Sequence, residues 1–231
     1  MLNSEFFNFE NKHLDFPFYK KNPYVPKIGW IILFLSMIIA LLAEGIIDNE
    51  LVSGILFCLI PLITILYYLK WDYKRIFQRP SANDIILAVA LFIGYIIYAL
   101  IMGYALDLLS LSGSALVNEN SVTFITILSL FPSLMGEELI KFIPLMFFLR
   151  IIYKYTENRK LSIILSMFIV MMFFALLHLS DLHSIVSVIV LQGFGTIFEF
   201  YGYLKTKNIF ISYLTHLLTD LSLFIIMLIG L

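Results

Sequence analysis

VTFITILSLFPSLMGEELIKFIPLMFFLR, residues 122–150, sets the fold problem for this chain. About 20 apolar residues at 1.5 Å rise cross a ~30 Å hydrocarbon core, and this run exceeds that length. Yet Glu137, Glu138 and Lys141 lie near its middle. On the insertion scale each charge near a helix centre costs roughly 2.5 to 3.5 kcal/mol, so three together need partners or a purpose. Lys141 follows Glu137 by four residues, one turn along the same face, and a Glu137–Lys141 pair is expected to offset part of the cost. Glu138, turned by about 100°, falls outside that pairing geometry.

Further spans appear on either side, over about 28–47, 51–69, 84–106, 161–180, 184–204 and 208–230, giving seven in all. Of 231 residues 61% are hydrophobic and 13% charged, with 22 Phe and 13 Tyr, which excludes a water-soluble domain. The net charge of -1 gives no basic excess for nucleic acid. The single Cys58 allows no internal disulfide framework and reads as a small hydrophobe. The predicted fold is an all-α membrane protein, with an arm at 1–27 and one transmembrane helical domain at 28–231 whose motif-bearing core covers about 120–222.

The first long apolar run begins only after Lys27, with Glu5, Glu10 and Asp15 ahead of it, so no cleaved secretion signal is expected. From Phe6 to Tyr24 the arm mixes Phe7, Phe9, Phe16, Phe18 and Tyr19 with Lys12, Lys20 and Lys21, and Pro17, Pro23 and Pro26 interrupt it. This composition predicts a segment lying among the lipid headgroups. Basic residues mark alternate connections: the arm, then Lys70, Lys74, Arg75 and Arg79, then Arg150, Lys154, Arg159 and Lys160, then Lys205 and Lys207. The connections between them carry Glu44, Asp48 and Glu50, then Asp107 and Glu119, then Asp181 and His183. The bias toward basic residues inside predicts a cytoplasmic N-terminus and an outer C-terminus. The abundance of Ile, Lys, Asn and Phe points to an AT-rich bacterial source, hence to a multi-pass protein of the bacterial cytoplasmic membrane.

Two further helices carry polar residues at helical spacing. Phe174 and His178 are four apart on the fifth span, and His216 and Asp220 four apart on the seventh, so each pair shares a face. Two histidines and two carboxylates from three spans can activate water by general base catalysis and donate to a developing oxyanion. Glu199, near the end of the sixth span, is expected to reach the interface. Asp181 and His183 are expected in solvent, with Asp181 available to orient His178, and Tyr201 and Tyr203 to form an interfacial belt.

Gly136-Glu137-Glu138-Leu139-Ile140-Lys141, Phe174-Ala175-Leu176-Leu177-His178 and His216-Leu217-Leu218-Thr219-Asp220 together resemble the ordered motifs of the CPBP family. This family comprises CAAX prenyl proteases and bacteriocin-processing or immunity enzymes. The connector Tyr203-Leu204-Lys205-Thr206-Lys207-Asn208-Ile209-Phe210 is similar to the family's Tyr-x-Arg-Thr-Gly-Asn-Leu-Trp. The likeness departs in the first motif: Phe142 stands where the family has Arg, and Lys141 comes one residue early. That E-E-x-x-K pattern resembles the PrsW-like proteases, whose second motif ends in Glu where this chain has His178.

The resemblance implies an intramembrane peptidase of the glutamic type, with no cofactor, acting on a membrane-embedded or membrane-associated peptide or protein. Glu137 would deprotonate water, His178 position it, His216 bind the oxyanion and Asp220 orient His216. Glu138, Lys141 and Phe174 would support them, with Lys141 neutralising Glu137. A cavity opening to the cytoplasm would admit water. Two other readings stand beside this one. A zinc peptidase could use Glu137, His178 and His216 as ligands, although H-E-x-x-H is absent. A non-catalytic transporter, regulatory partner or peptide-binding pseudo-enzyme, as in an immunity role, could use the charges as a path or packing device. Counting from the predicted cytoplasmic ends places Glu137 ~20 Å, His178 ~27 Å and His216 ~12 Å deep, so level, straight helices would not bring them together.

Overall fold

The computed structural model describes residue 9 and residues 14–20, 23–111, 123–179 and 181–229. Phe7, Lys12, Lys21 and Glu119, with Glu5 and Glu10, lie outside these. Among the described residues the regular structure is all helical. It comprises α1 (Lys27–Ile46), α2 (Glu50–Tyr68), α3 (Ala82–Leu108), α4 (Phe124–Thr156), α5 (Arg159–Leu177), α6 (Ile185–Val188), α7 (Ile197–Thr206) and α8 (Ile209–Ile229).

Six stretches are long and apolar enough to cross a bilayer: α1, α2, α3, α5, the interrupted segment Leu182–Thr206, and α8 over Ile209–Met227. Their bounds follow from capping. Asn49, Ser81, Thr123 and Asn158 each accept a backbone N–H from the first turn of the helix that follows. The fourth predicted span runs on to Thr156, where Glu157 at φ 52° turns the chain out and donates its N–H to the Tyr153 carbonyl at 2.8 Å.

Helix α4 is the hub, packing against α2, α5, α8 and α1. With 33 residues it is about 50 Å long. Its approach to α2 depends on small residues: a Cβ at Gly54 would collide with Ser133 Oγ and lie 3.2 Å from the Ser129 carbonyl oxygen. At Gly136 a Cβ would be driven into the Phe57 ring.

Two expectations change here. At 16–19 the arm is packed into the protein, with Phe16, Phe18 and Tyr19 buried in the main core. Phe18 takes a left-handed φ of 64° and stacks edge-on against Trp30, while Tyr19 meets Tyr153 with ring centroids 4.8 Å apart. Burying three aromatic side chains at roughly 1.5 to 3 kcal/mol each outweighs one strained residue. Tyr203 does not belong to an interfacial belt. It is buried between Phe16 and Phe142, at centroid distances of 5.9 and 5.2 Å.

The connector between α7 and α8 is tucked beneath this arm. Lys207 donates to the carbonyls of Phe9 and Leu204 and lies 4.3 Å from the Phe16 ring centroid. Asn208 donates to the Gln78 carbonyl at 2.9 Å and accepts from the Gln78 and Phe210 amides. With Lys207 and Asn208 both buried, α8 starts well inside the bundle, roughly level with Phe142 of α4.

Candidate functional site

The recessed start of α8 brings together groups that level helices would keep apart. His216, two turns into α8, has Nε2 3.8 Å from Glu137 Oε2 and Nδ1 2.9 Å from Glu138 Oε1. The ring thus sits between the adjacent carboxylates of α4. The shorter contact is a hydrogen bond, in which an ionised Glu138 accepts from Nδ1, and the Lys141 ammonium lies 3.4 Å from the same nitrogen. Asp220 Oδ2 lies 3.6 Å from Nε2, on the Glu137 side. Asp220 was expected to orient His216, but Glu138 makes the hydrogen bond that fixes the ring, and Asp220 shares the opposite nitrogen with Glu137.

Lys141 pairs differently from expectation as well. Its ammonium lies 2.5 Å from Glu138 Oε1, one turn back on α4, and is also bonded to Glu199 of α7. The i, i+3 spacing serves as well as i, i+4 once the partner faces the protein interior. Glu137 is left to the other side of His216. Lys141 and Glu138 have only 3% of their side chains exposed, against 22% for Glu137 and 29% for Asp220. The cluster therefore has a sealed half and an accessible half, with His216 as the partition.

Glu199 does not reach the interface. It is buried, and the broken helix before it accounts for its direction. Between α6 and α7 the chain passes through a π turn (Ile189–Gly193) and a tight 3-10 turn (Phe194–Thr196). A change in residues per turn rotates every downstream side chain about the axis. Tyr98 stabilises the break by donating its hydroxyl to the Val190 carbonyl at 2.7 Å. Sequence reading also missed Ser212, whose hydroxyl donates to Glu138. Its position one turn before His216, on the same face of α8, was the available signal.

His178 caps the end of α5, and its Nδ1 lies 3.0 Å from the Phe174 carbonyl oxygen. Nδ1 is then the protonated nitrogen and Nε2 the lone-pair one in a neutral ring. The Phe174 ring is 4.5 Å from the His178 ring and 4.6 Å from the Lys141 ammonium, so it ties His178 to the cluster from the side. His178 interacts electrostatically with Asp220, and Glu44 near the end of α1 does so with Glu137. Among the described residues no hydrogen bond or ion pair joins His178 to Glu137. Asp181 accepts from the Ser184 amide at 2.9 Å, capping the short turn after α5.

Phe142 and Tyr203 fill the sealed half toward the arm, where a void of about 10 Å³ beside Glu138 and Lys141 admits at most a water. Three donor atoms with metal-ligand chemistry do converge within 4.8 Å, on Glu138, Glu199 and His216, which differs from the set Glu137, His178 and His216. The ammonium of Lys141 already bonds two of those three residues, so the trio does not fit a zinc ion. Comparisons of the chain with protein-family models, with curated proteins and with solved structures found no match.

Proposed function

We propose that this chain is an intramembrane peptidase that hydrolyses a membrane-embedded or membrane-associated peptide with a glutamate-activated water. The observation that carries the reading is the placement of His216 between an accessible Glu137 and a buried Glu138. A water beside Glu137 Oε2 and His216 Nε2 is in reach of both. Glu137 accepts a proton from that water as its oxygen attacks the scissile carbonyl. His216, with Glu138 and the Lys141 ammonium on its Nδ1 side and Glu137 and Asp220 facing Nε2, is placed to donate from Nε2 to the developing oxyanion. Collapse of the tetrahedral adduct breaks the C–N bond, and Glu137 returns the proton to the leaving amine. His178, through Nε2, orients the water or the substrate. The resemblance to CPBP proteases supports the same assignment of Glu137, His178 and His216.

In this reading α4 is a seventh crossing. Its charges are carried across by the Glu138–Lys141–Glu199 network, and the arm and connector lie on the cytoplasmic side of a bacterial membrane, with the C-terminus outside. Substrate enters from the Glu137 and Asp220 side, since the arm side is closed by aromatic rings.

The test is cleavage of membrane peptides by purified protein in detergent. Glu137→Gln and His216→Ala are expected to lower cleavage at least 100-fold, from the usual worth of a general base or oxyanion donor, and chelation to leave it unchanged. Because Glu137 is partly exposed, Glu137→Gln should shift the melting temperature by no more than a few degrees. Retained cleavage in Glu137→Gln sinks the proposal. A non-catalytic reading is favoured by the Lys141 network, which suits helix packing as well as catalysis. It predicts peptide binding without cleavage in the wild type.

A further inference from the structure

A groove of about 1970 Å³ opens between the arm, α1 and the last turns of α4, away from the His216 cluster. Its size is about twice the upper end of the ~300 to 1,000 Å³ range of ordinary small-molecule pockets. Its two ends differ in chemistry. Along α1 it is apolar, with Ile31, Leu35 and Ile38 exposed on the outer face and Trp30 and Phe34 behind them. At the other end are the cations Lys20, Lys27, Lys74, Arg150 and Lys154.

These cations lack carboxylate partners among the described residues, because the two acidic residues of the lining are engaged elsewhere. Asp15 pairs with Arg159 at 2.6 Å and Asp72 with Arg75 at 3.0 Å. Arg150 is held over the Tyr24 ring at 5.2 Å and Lys154 over Tyr155 at 5.6 Å. Arg150 also has an inaccessible Nη1 with no hydrogen-bond acceptor. A guanidinium nitrogen withdrawn from water and left without an acceptor costs free energy that an anionic oxygen would recover. From Lys27 to Ile38 the apolar strip runs about 16 Å along the helix, a length suited to an acyl chain.

We propose that this groove is a binding site for an anionic phospholipid, its phosphate among Arg150, Lys154 and Lys27 and one acyl chain along the outer face of α1. A neutral or soluble ligand matches only one end. Charge complementarity at the head and an apolar strip at membrane depth together select a lipid. The bound lipid would brace the arm, whose Phe16 and Tyr19 line the same groove.

Trp30 lines the groove and provides the readout. In a Trp71→Phe background, the full-length protein in detergent is titrated with phosphatidylglycerol or phosphatidylcholine carrying the same brominated acyl chains. Phosphatidylglycerol is expected to quench Trp30 at several-fold lower concentration than phosphatidylcholine. Adding Arg150→Gln and Lys154→Gln should weaken phosphatidylglycerol by about 30-fold and leave phosphatidylcholine unchanged, two groove cations being removed. Equal quenching by the two lipids, or no response to the substitutions, overturns the proposal. So does displacement of phosphatidylglycerol by a soluble acidic peptide, which would make the groove a peptide site. A single substitution, Lys27→Gln, gives the same ordering with a smaller change and guards against a misfolded double variant.

Discussion

Replacing Lys141 by Met removes the ammonium that Glu138 and Glu199 share while keeping nearly the same side-chain volume. Both carboxylates stay buried, and their nearest remaining cationic partner is His216, which Glu138 already engages at 2.9 Å. Breaking a buried ion pair by removing one partner costs about 3 to 5 kcal/mol. For a chain of this length, with about 2 to 4 °C of melting temperature per kcal/mol, that corresponds to a fall of roughly 6 to 20 °C in thermal unfolding in detergent. Much of the loss comes from the charge left behind, so Lys141→Met combined with Glu199→Gln should be more stable than Lys141→Met alone. Glu199→Gln alone should destabilise. This reversal of sign is the diagnostic result, because two independent surface effects would simply add. If Lys141→Met melts within about 3 °C of wild type, or if Glu199→Gln lowers stability equally in both backgrounds, the Glu138–Lys141–Glu199 network does not hold the helices together.

Asn208→Ala removes the side chain that satisfies both backbone groups of Gln78, and the loss should be about 2 to 3 kcal/mol in denaturant unfolding, with Asn208→Asp recovering only the accepting half. Gly54→Leu must push α4 from α2 against Ser133 and the Ser129 backbone, and a loss of about 1 to 3 kcal/mol is expected, measured as a lower melting temperature. Lys207 gives a pH signature. Burial, with Arg159 nearby, pushes it from an ordinary 10.5 down to about 8. Below pH 8 the amine is protonated in both folded and unfolded chains, and the fold bears the full cost. Between 8 and 10.5 the unfolded chain holds more protons, so stability rises with pH by up to about 3 kcal/mol from this group. Melting temperatures at pH 7.5 and 9.5 should therefore differ more in wild type than in Lys207→Met.

Hydropathy alone placed α1, α2, α3, α5 and α8 to within a few residues, because a long stretch without charges has one satisfactory conformation in a bilayer, whereas the charged α4 runs six residues past the expected end and the sixth span is broken. It also singled out Glu137, Glu138, His216 and Asp220, which the structure brings around one imidazole. What it could not supply was depth and rotation. Lys207 reads as a loop cation, and nothing local announces that the Phe9 and Leu204 carbonyls and the Phe16 ring will receive it inside the bundle. The ~12 Å counted for His216 assumed helices that start level, whereas α8 starts beneath the arm and beside Phe142 of α4, far from the end of α4 at Thr156. Glu199 was misplaced for a related reason. A π turn followed by a 3-10 turn has no period that a pattern search follows, so the direction of Glu199 toward Lys141 is not legible from its place near the end of the span.

If Glu137 is the base proposed above, the division of labour around His216 accounts for the use of adjacent glutamates where one would be cheaper. A single carboxylate cannot both anchor Nδ1 and accept a proton from water at Nε2, since the two nitrogens face opposite sides of the ring. Successive residues on a helix differ by about 100° in direction, enough to place one carboxylate on each side of an imidazole supplied by a facing helix. The buried one, Glu138, must be neutralised, and Lys141 does this from the next turn with Glu199 as second partner. The accessible one, Glu137, is the proposed base, and it is Glu138, not Glu137, that Lys141 contacts. Moving the lysine from Glu137 to Glu138 thus turns a costly row of charges into two sites with different duties. On this argument Glu138→Gln should preserve the Glu137 side yet loosen His216, whereas Glu137→Gln should leave His216 anchored and remove the base.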